Sequence, residues 1–529
     1  MTEITPDIVV VGAGHNGLIA AAYLAKAGRK VLVLERQDYA GGGVHSDELT
    51  EPGYTSERHA ALHVVILANP LITDDELGLF AEHGLEYIPL DKPYAGVFTD
   101  GTYVALYRDR AQTAAAIAAV SEADAEAYGR FQDTATAITE VLLPTFFVPP
   151  VDPAEMGPLL AQHPLGAEIM RVMPMSVLDV IREHFTDDRT IITFARLASE
   201  VLLTHPADPG TGIFAYVVFG ILEKYGISLP KGGGSNFTAA VIRAIQANGG
   251  EVRLGADVTR VLVEDGRATG VLLADGTKIH AREAVVGAIH PHLLSDIVPE
   301  TDAQVAADAK AVRLSPYTGF VVHASLNEPL RYKASRELNQ FAANTVSVPD
   351  LAAVLAEFDA LAEGRLAPPY LVGAGSTATP DPSRAPEGGS VLHLFNMTTY
   401  DLADGGAESW NRIKDQHAQN LLEYASQFFE NLTPENIRVV TAVTPLDHQD
   451  DTPSFQRGDI CGVAMHADQM SAARPTPALS SYRVPGVAGL FLTGPFMHPG
   501  GGVMGGGRAT AIRVLEDLGV PFGEVVGSR

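Results

Sequence analysis

A glycine turn near the start of the chain constrains its fold more than any other feature. Residues Asp7 to Val11 form a short β-branched run, followed by Gly12-Ala13-Gly14-His15-Asn16-Gly17. A helical stretch from Leu18 to Ala27 comes next, closed by Gly28, and then a second apolar run from Lys30 to Leu34. This order predicts a βαβ unit with GxGxxG at its first turn, the setting in which the motif has a mechanism. Gly12 permits the tight turn, Gly14 lets a pyrophosphate approach the backbone, and Gly17 lets the helix pack on the strand. The helix N-terminus, with His15 and Asn16 in its first turn, then faces the phosphates. Glu35 closes the second run, 18 residues after Gly17, where a carboxylate accepts hydrogen bonds from ribose hydroxyls and disfavours a 2′-phosphate. The turn therefore predicts a dinucleotide, FAD or NAD rather than NADP.

Length and charge bound the rest. At 529 residues the chain predicts roughly two to four structural units. Acidic residues outnumber basic ones by 64 to 37, a formal charge of −27, and no long Lys/Arg run offsets it, so nucleic acid is not an expected partner. The acidic start lacks the basic region of a secretory signal, and the longest apolar run, Ile213 to Leu222, is about half a bilayer span. A soluble cytoplasmic protein is expected. Cys461 is the only cysteine, which excludes a disulfide framework, a cysteine-rich zinc site and a redox-active dithiol; no metal site is expected.

From about Thr102 to Lys224 the pattern is helical and irregular, broken at Pro144, Pro149 and Pro150. A glycine turn, KGGGSN, then precedes a helix over about Phe237 to Asn248. The runs EVRL, VTRVLVE, RATGVLLA and TKIHA follow, and Asp265-Gly266 and Asp275-Gly276 are hairpin signals, so the four runs predict a meander. VVHASL and SVLHLFNM read as extended. Near the end, GLFLTG reads as a buried strand, HPGGGVMGGG as a glycine loop and Arg508 to Leu518 as a helix.

Three of these segments together resemble the FAD-dependent oxidoreductases of the phytoene desaturase and amine oxidase group. In ERQDYAGGGVHS, Glu35-Arg36 is followed by Gly41-Gly42 and by Ser46, similar to the second glycine motif of that group, which lies against pyrophosphate and flavin. Gly43 stands where the group usually has Arg. In the run from Leu229 to Ala288 the resemblance implies that Val258 presents its backbone to the adenine. In GLFLTGPFMHPGGGVMGGGRATAIRVL it implies that Gly494, Val503 and Met504 contact the flavin, with Pro495 in place of the group's usual acidic residue. A helix N-terminus there would stabilise negative charge developing on the flavin.

The resemblance implies an α/β fold with a glutathione-reductase-like, Rossmann-type FAD-binding domain over residues 1–105, 228–300 and 484–529. A discontinuous α+β substrate domain would span 106–227 and 301–483. It also implies dehydrogenation of a hydrophobic small molecule, with oxygen or a quinone reoxidising the flavin. Candidate acid–base residues lie in loops near the glycine motifs: His45, His59, His63 and His498, of which His59 and His498 are the preferred pair, with Arg58 and Tyr317 as weaker candidates for orienting substrate. The apolar runs Val141 to Pro150 and IFAYVVFGIL could wall a substrate tunnel or touch a membrane surface, though such runs are commonly plain core. Three rival readings share the fold: an amine oxidase, which needs an aromatic cage in a chain whose one Trp is Trp410; a redox-neutral flavin isomerase; and a lipid carrier similar to the GDP-dissociation inhibitors.

Overall fold

In the computed structural model, which describes residues 5–527, the chain is built on two large sheets. The first has five strands, all parallel, in the order Leu490–Leu492, Ala284–Gly287, Ile8–Val11, Val31–Leu34, Glu251–Arg253. Side chains alternate across it. Ile8, Val10, Val31 and Val33 pack against the helices His15–Lys26, Gly234–Ala247 and Gly507–Asp517, whereas Val9, Leu32 and Leu34 pack against Val261 and Val271 of a small sheet on the other face. Burial on both faces is why these strands read as unbroken apolar runs rather than as alternating ones.

The expected meander is corrected in one element. Glu251–Arg253 joins the parallel sheet beside Val31–Leu34, and only Val258–Glu264, Arg267–Leu273 and Lys278–His280 form the antiparallel set. The hairpin signal itself holds. Asp265 and Gly266 both have positive φ, 49° and 74°, as a two-residue turn with the twist of its flanking strands requires.

The second sheet has seven strands, in the order Ile437–Val443, Thr318–Leu326, Ser390–Thr398, Val372–Gly375, Ala343–Ser347, Tyr94–Phe98, Tyr103–Leu106. Tyr94–Phe98 and all but the last residue of Tyr103–Leu106 fall in residues 1–105, expected in the first unit. They belong instead to this sheet, because Tyr94–Phe98 pairs in parallel with Ala343–Ser347. Against the sheet sits a helical layer running from Arg110–Ala118 to Phe214–Tyr225. Its longest helix, Glu122–Leu142, starts at a Ser121 cap that accepts from the Asp124 amide and ends just before Pro144. The apolar run at Ile213 to Leu222 forms most of the helix Phe214–Tyr225, largely buried, and among the described residues no helix is long and apolar enough to cross a membrane.

Phe131 anchors the helical layer. Its ring meets Phe185, Phe194, Tyr216 and Phe219 with centroids 5.3, 5.5, 5.6 and 5.8 Å away. We expect Phe131→Ala to cost about 3–5 kcal/mol, because rings on four sides cannot collapse into the space. Denaturant unfolding followed by circular dichroism measures it, and a loss below about 1 kcal/mol would show that the layer relaxes instead.

Candidate active site

The glycine turn after Ile8–Val11 is shaped as its spacing requires. Gly12 has φ of 91°, and a Cβ there would lie 3.0 Å from the Cβ of Ala288. A Cβ on Gly17 would run into the Gly12 carbonyl, whereas one on Gly14 would meet nothing and project into open space. Gly14 is also the N-cap of the helix and no side chain caps it; the His15 amide donates to the Gly41 carbonyl at 3.2 Å, and the Asn16 and Gly17 amides remain available to an anion. The second glycine motif docks on the first. Gly14 and Gly41 form a parallel bridge, and a Cβ on Gly42 would come within 3.1 Å of the Gly14 Cα. Gly43 faces the ring of Phe455, whose Cζ would stand 3.0 Å from an added Cβ, so an aromatic side chain fills the space over the residue that replaces the expected Arg.

The closing glycine loop packs on the same place. The Gly507 amide donates to the Asn16 side chain at 3.3 Å, and the Asn69 amide group donates to the Met504 and Gly505 carbonyls at 3.1 and 3.3 Å. Arg508 forms a two-pronged pair with Glu76, 2.7 Å on each prong, and donates to the Phe147 carbonyl at 2.9 Å. The apolar segment around Pro144 thus clamps this loop by its backbone. On the other side Arg474, fully buried, donates to the carbonyls of Cys461, Val463, Ala464, Gln469, Pro495 and Met497. Burial lowers this guanidinium to about 10, so it remains charged at neutral pH.

Between these loops lies a cavity of about 270 Å³. His15, Asn16, Gly14, Gly17, Gly42, Gly43, Gly494, Val503 and Met504 line it, so three motifs far apart in sequence converge there. Other expected residues stand around it rather than in it. The Glu35 carboxylate accepts from the Ala13 amide at 2.7 Å and the Gln37 amide at 3.0 Å, at the end of its strand. Arg36 donates to the Asp450 and Asp451 carbonyls, Ser46 accepts from the Ser235 amide at 3.1 Å, and Val258 pairs with Leu273.

The two preferred histidines differ in where they point. His59 lines the cavity, with neither ring nitrogen hydrogen-bonded, its ring 5.1 Å from that of Phe455 and 4.9 Å from that of His448. Burial, and then the neighbouring His448, hold it well below the ordinary imidazole value, so it is a neutral base at physiological pH. His498 is turned away. Its Nε2 meets the Thr145 carbonyl at 2.8 Å, and burial lowers it to about 4. His45 stacks on Tyr39, His63 bonds the Tyr87 hydroxyl at 2.6 Å, Arg58 pairs with Asp47 and Asp451, and the Tyr317 hydroxyl donates to the Phe358 carbonyl at 3.2 Å.

Much of the remaining wall carried no signal in the sequence: Leu62, Val64, Val65, Val201, Phe455 and Ile460, with Glu200 among them, while Cys461 was notable there only as the one cysteine. Glu200 is tied to Arg196 at 2.7 Å, and Glu357, buried nearby, is raised to about 8 by desolvation against the partial relief that Arg196 gives. No spacing rule marks these positions, because they come from a helix, a strand-end loop and a distant irregular segment that only the fold brings together.

A parallel sheet carrying an uncapped glycine turn, with a second sheet and helical layer over it, is the build of an FAD-dependent oxidoreductase. The open Cβ position of Gly14 and the free Asn16 and Gly17 amides fit the pyrophosphate of FAD. The chain belongs to the family of flavin-containing amine oxidoreductases, which it matches over residues 17–517. It is similar to a polypeptide of the limonene dehydrogenase of Castellaniella defragrans, 26% identical over 98% of this chain and 96% of that one. It is also similar to the neurosporene-forming phytoene desaturase of Rhodobacter capsulatus, 25% identical over 98% and 96% of the two chains. Among solved structures, putrescine oxidase bound to putrescine aligns with a TM-score of 0.62 over 97% of this chain and 99% of that one; at 16% identity this speaks to the fold alone.

Gly14→Ala should leave unfolding unchanged and lower flavin affinity about tenfold or more, while Gly17→Ala should destabilise by about 1–3 kcal/mol through backbone overlap. Flavin absorbance per protein and denaturant unfolding separate the two, and loss of stability in both variants would contradict the open space at Gly14. Glu357 makes stability depend on pH. It binds its proton more tightly folded than unfolded, so its contribution is complete below about 4.5 and is lost as pH rises towards about 8. The melting temperature of Glu357→Gln, minus that of the native protein, should therefore increase from pH 5 to pH 8. A constant difference would show that the carboxyl is ionised throughout.

Proposed function

We propose that this enzyme removes two hydrogens from a largely apolar small molecule, such as a cyclic or isoprenoid-like hydrocarbon, to form a carbon–carbon double bond. FAD, when bound, supplies the hydride acceptor. In this reading Gly12, Gly14, Gly17, Gly41, Gly42 and Gly43, with His15 beside them and the amide of Asn16, hold the pyrophosphate. Glu35, Arg36, Ser46 and Val258 serve the adenosine side, and Gly494, Val503 and Met504 the flavin side.

The observation that carries the proposal is the cavity wall beyond the glycine loops. It is aliphatic apart from Phe455, His59, the hydroxyls of Thr452 and Ser454, the Cys461 thiol and the Glu200 carboxylate, which is already paired with Arg196. Among the described residues an ammonium substrate would find neither an unpaired carboxylate nor an aromatic cage there, since Trp410 is buried in a separate core and donates to the Tyr400 carbonyl. Apolar walls position a hydrocarbon by shape and keep water away from the reacting carbons. His59, neutral and facing the cavity, is the residue suited to take up the proton that leaves with the second hydrogen. The names of two relatives, a limonene dehydrogenase and a phytoene desaturase, are consistent with hydrocarbon substrates. We assign reoxidation to oxygen or a quinone.

The test is an absorbance spectrum of the purified protein, followed by anaerobic mixing with limonene, linear alkenes, cyclic ketones and amines. Bands near about 370 and 450 nm that bleach with an alkene are expected. Bleaching by amines alone would overturn the reading in favour of an amine oxidase. A colourless protein that cannot be reconstituted with FAD would overturn both.

A further inference from the structure

Glu200 is the one carboxylate on the cavity wall, and it stands where the helical layer meets the seven-stranded sheet. It lies on the helix Asp188–Leu202, one turn after Arg196. Its Oε1 accepts from the Arg196 guanidinium at 2.7 Å and from the Thr345 hydroxyl at 3.4 Å. Thr345 is on the strand Ala343–Ser347 and is itself hydrogen-bonded to the Tyr94 hydroxyl, so the carboxylate is held from both layers. The other oxygen, Oε2, makes no hydrogen bond among the described residues and is not sealed. The Glu200 side chain keeps 16% of its surface accessible against 1% for Arg196, and the cavity is what it faces.

The pair is complete in charge but not in hydrogen bonds. Arg196 Nε and Nη1 are sealed without partners, so Glu200 is the one ion-pair partner of this guanidinium among the described residues. Burial pushes the Glu200 carboxyl up, and Arg196 and Thr345 pull against it. The need for a counter-ion decides between them: arginine stays protonated, Glu357 is raised to about 8 and keeps its proton at neutral pH, and a buried guanidinium left without an anion is costly. Glu200 is therefore the ionised partner. Because its charge is already balanced it does not require a cation, and its free oxygen is a strong acceptor for a neutral O–H.

There is room beside that oxygen. Gly373 lies inside the strand Val372–Gly375, which has a neighbour on each side, yet it is only half-buried. A Cβ there would stand 3.7 and 3.8 Å from the two Glu200 oxygens and 3.8 Å from the Phe395 carbonyl, all ordinary contacts. Its φ is not left-handed, and the register to both neighbouring strands is unbroken, so neither backbone conformation nor a bulge calls for glycine. Glycine within a strand weakens it, and with those causes removed it marks a place that a ligand approaches closely.

We propose that Glu200 Oε2, with the space beside Gly373, receives a hydroxyl group of the substrate, so that the enzyme acts on a largely apolar alcohol rather than on a bare hydrocarbon. The proposal rests on the dehydrogenase reading and narrows its substrate class. The aliphatic walls take the carbon skeleton, and the one hydrogen bond at Glu200 fixes which end of it points towards the helical layer. Glu200 contacts the substrate in this scheme. Arg196 and Thr345 are positioning residues, which hold the carboxylate ionised and in place.

Equilibrium binding to the FAD-loaded protein tests this without turnover. Limonene, carveol and carvone share one ring skeleton and carry no oxygen, a hydroxyl and a carbonyl respectively. Carveol should bind about tenfold or more tighter than limonene, and carvone, which has no proton to donate, no tighter than limonene. The double variant Arg196→Met/Glu200→Leu replaces the pair by apolar groups and strands no charge, so it should bind limonene as before and carveol no better. Gly373→Ala leaves the pair intact and fills the space beside it. It should reduce the preference for carveol about fivefold or more, with limonene affinity and thermal unfolding unchanged, and it carries the decision if the double variant fails to fold. Equal affinities for limonene and carveol in the native protein, including the case in which neither binds, would overturn the proposal. Carvone binding as tightly as carveol, or a preference for carveol that survives both variants, would do the same. Bleaching of the flavin is a separate readout: if none of the three compounds bleaches it, the dehydrogenase reading fails, while the order of affinities still decides whether the hydroxyl site exists.

Discussion

Backbone has to touch backbone where the three glycine segments meet, and the arrangement of both sheets follows from that contact. Gly14 bridges Gly41, Gly42 sits over the Gly14 Cα, Gly17 lies on the Gly12 carbonyl, and Gly507 lies on the backbone of Asn16. Side chains at these points would hold the chain segments several ångströms apart and leave the first-turn amides without an approach for a pyrophosphate. The contact also sets the strand order. Leu490–Leu492 must lie beside Ala284–Gly287 to deliver the closing loop to the turn that Ile8–Val11 begins.

Bare glycine loops are soft, and buried charge holds them. Arg474 gathers six carbonyls from two segments, and Arg508 joins Glu76, which also accepts from the Tyr23 hydroxyl at 2.5 Å. Burying a guanidinium is expensive unless every N–H is used, so each of these arginines selects one arrangement of the surrounding loops over near alternatives. His498 and Asn69 add neutral bonds to the same loop. The helical layer takes part as well, since the Thr145 and Phe147 carbonyls are among the acceptors.

This rigidity meets a wall of another character. The far side of the cavity is largely aliphatic and aromatic, and its carboxylate is already paired, so the low-dielectric space keeps His59 neutral and strengthens the electrostatic interactions made inside it.

Local features of the chain were legible in the sequence, and so was the residue chemistry of the first turn. The βαβ unit, the helix after KGGG, the Asp265-Gly266 hairpin and the closing helix all lie where turn residues and periodicity place them, because each depends on neighbours a few residues away. Sheet membership was less legible. Glu251–Arg253 resembles its hairpin neighbours yet pairs with Val31–Leu34, and Tyr94–Phe98 finds its partner in the distant strand Ala343–Ser347; a strand's pattern records that it pairs, not with which strand. The histidines divide the same way. His59 and His498 occupy equivalent loops in the sequence, but one ring faces the cavity and the other a carbonyl, a difference set by side-chain direction. By itself the sequence determined a dinucleotide turn, a family resemblance and the elements around the glycine motifs. Only the tertiary structure decided which apolar residues wall the cavity and which histidine faces it, because both are contacts between segments that no local spacing encodes.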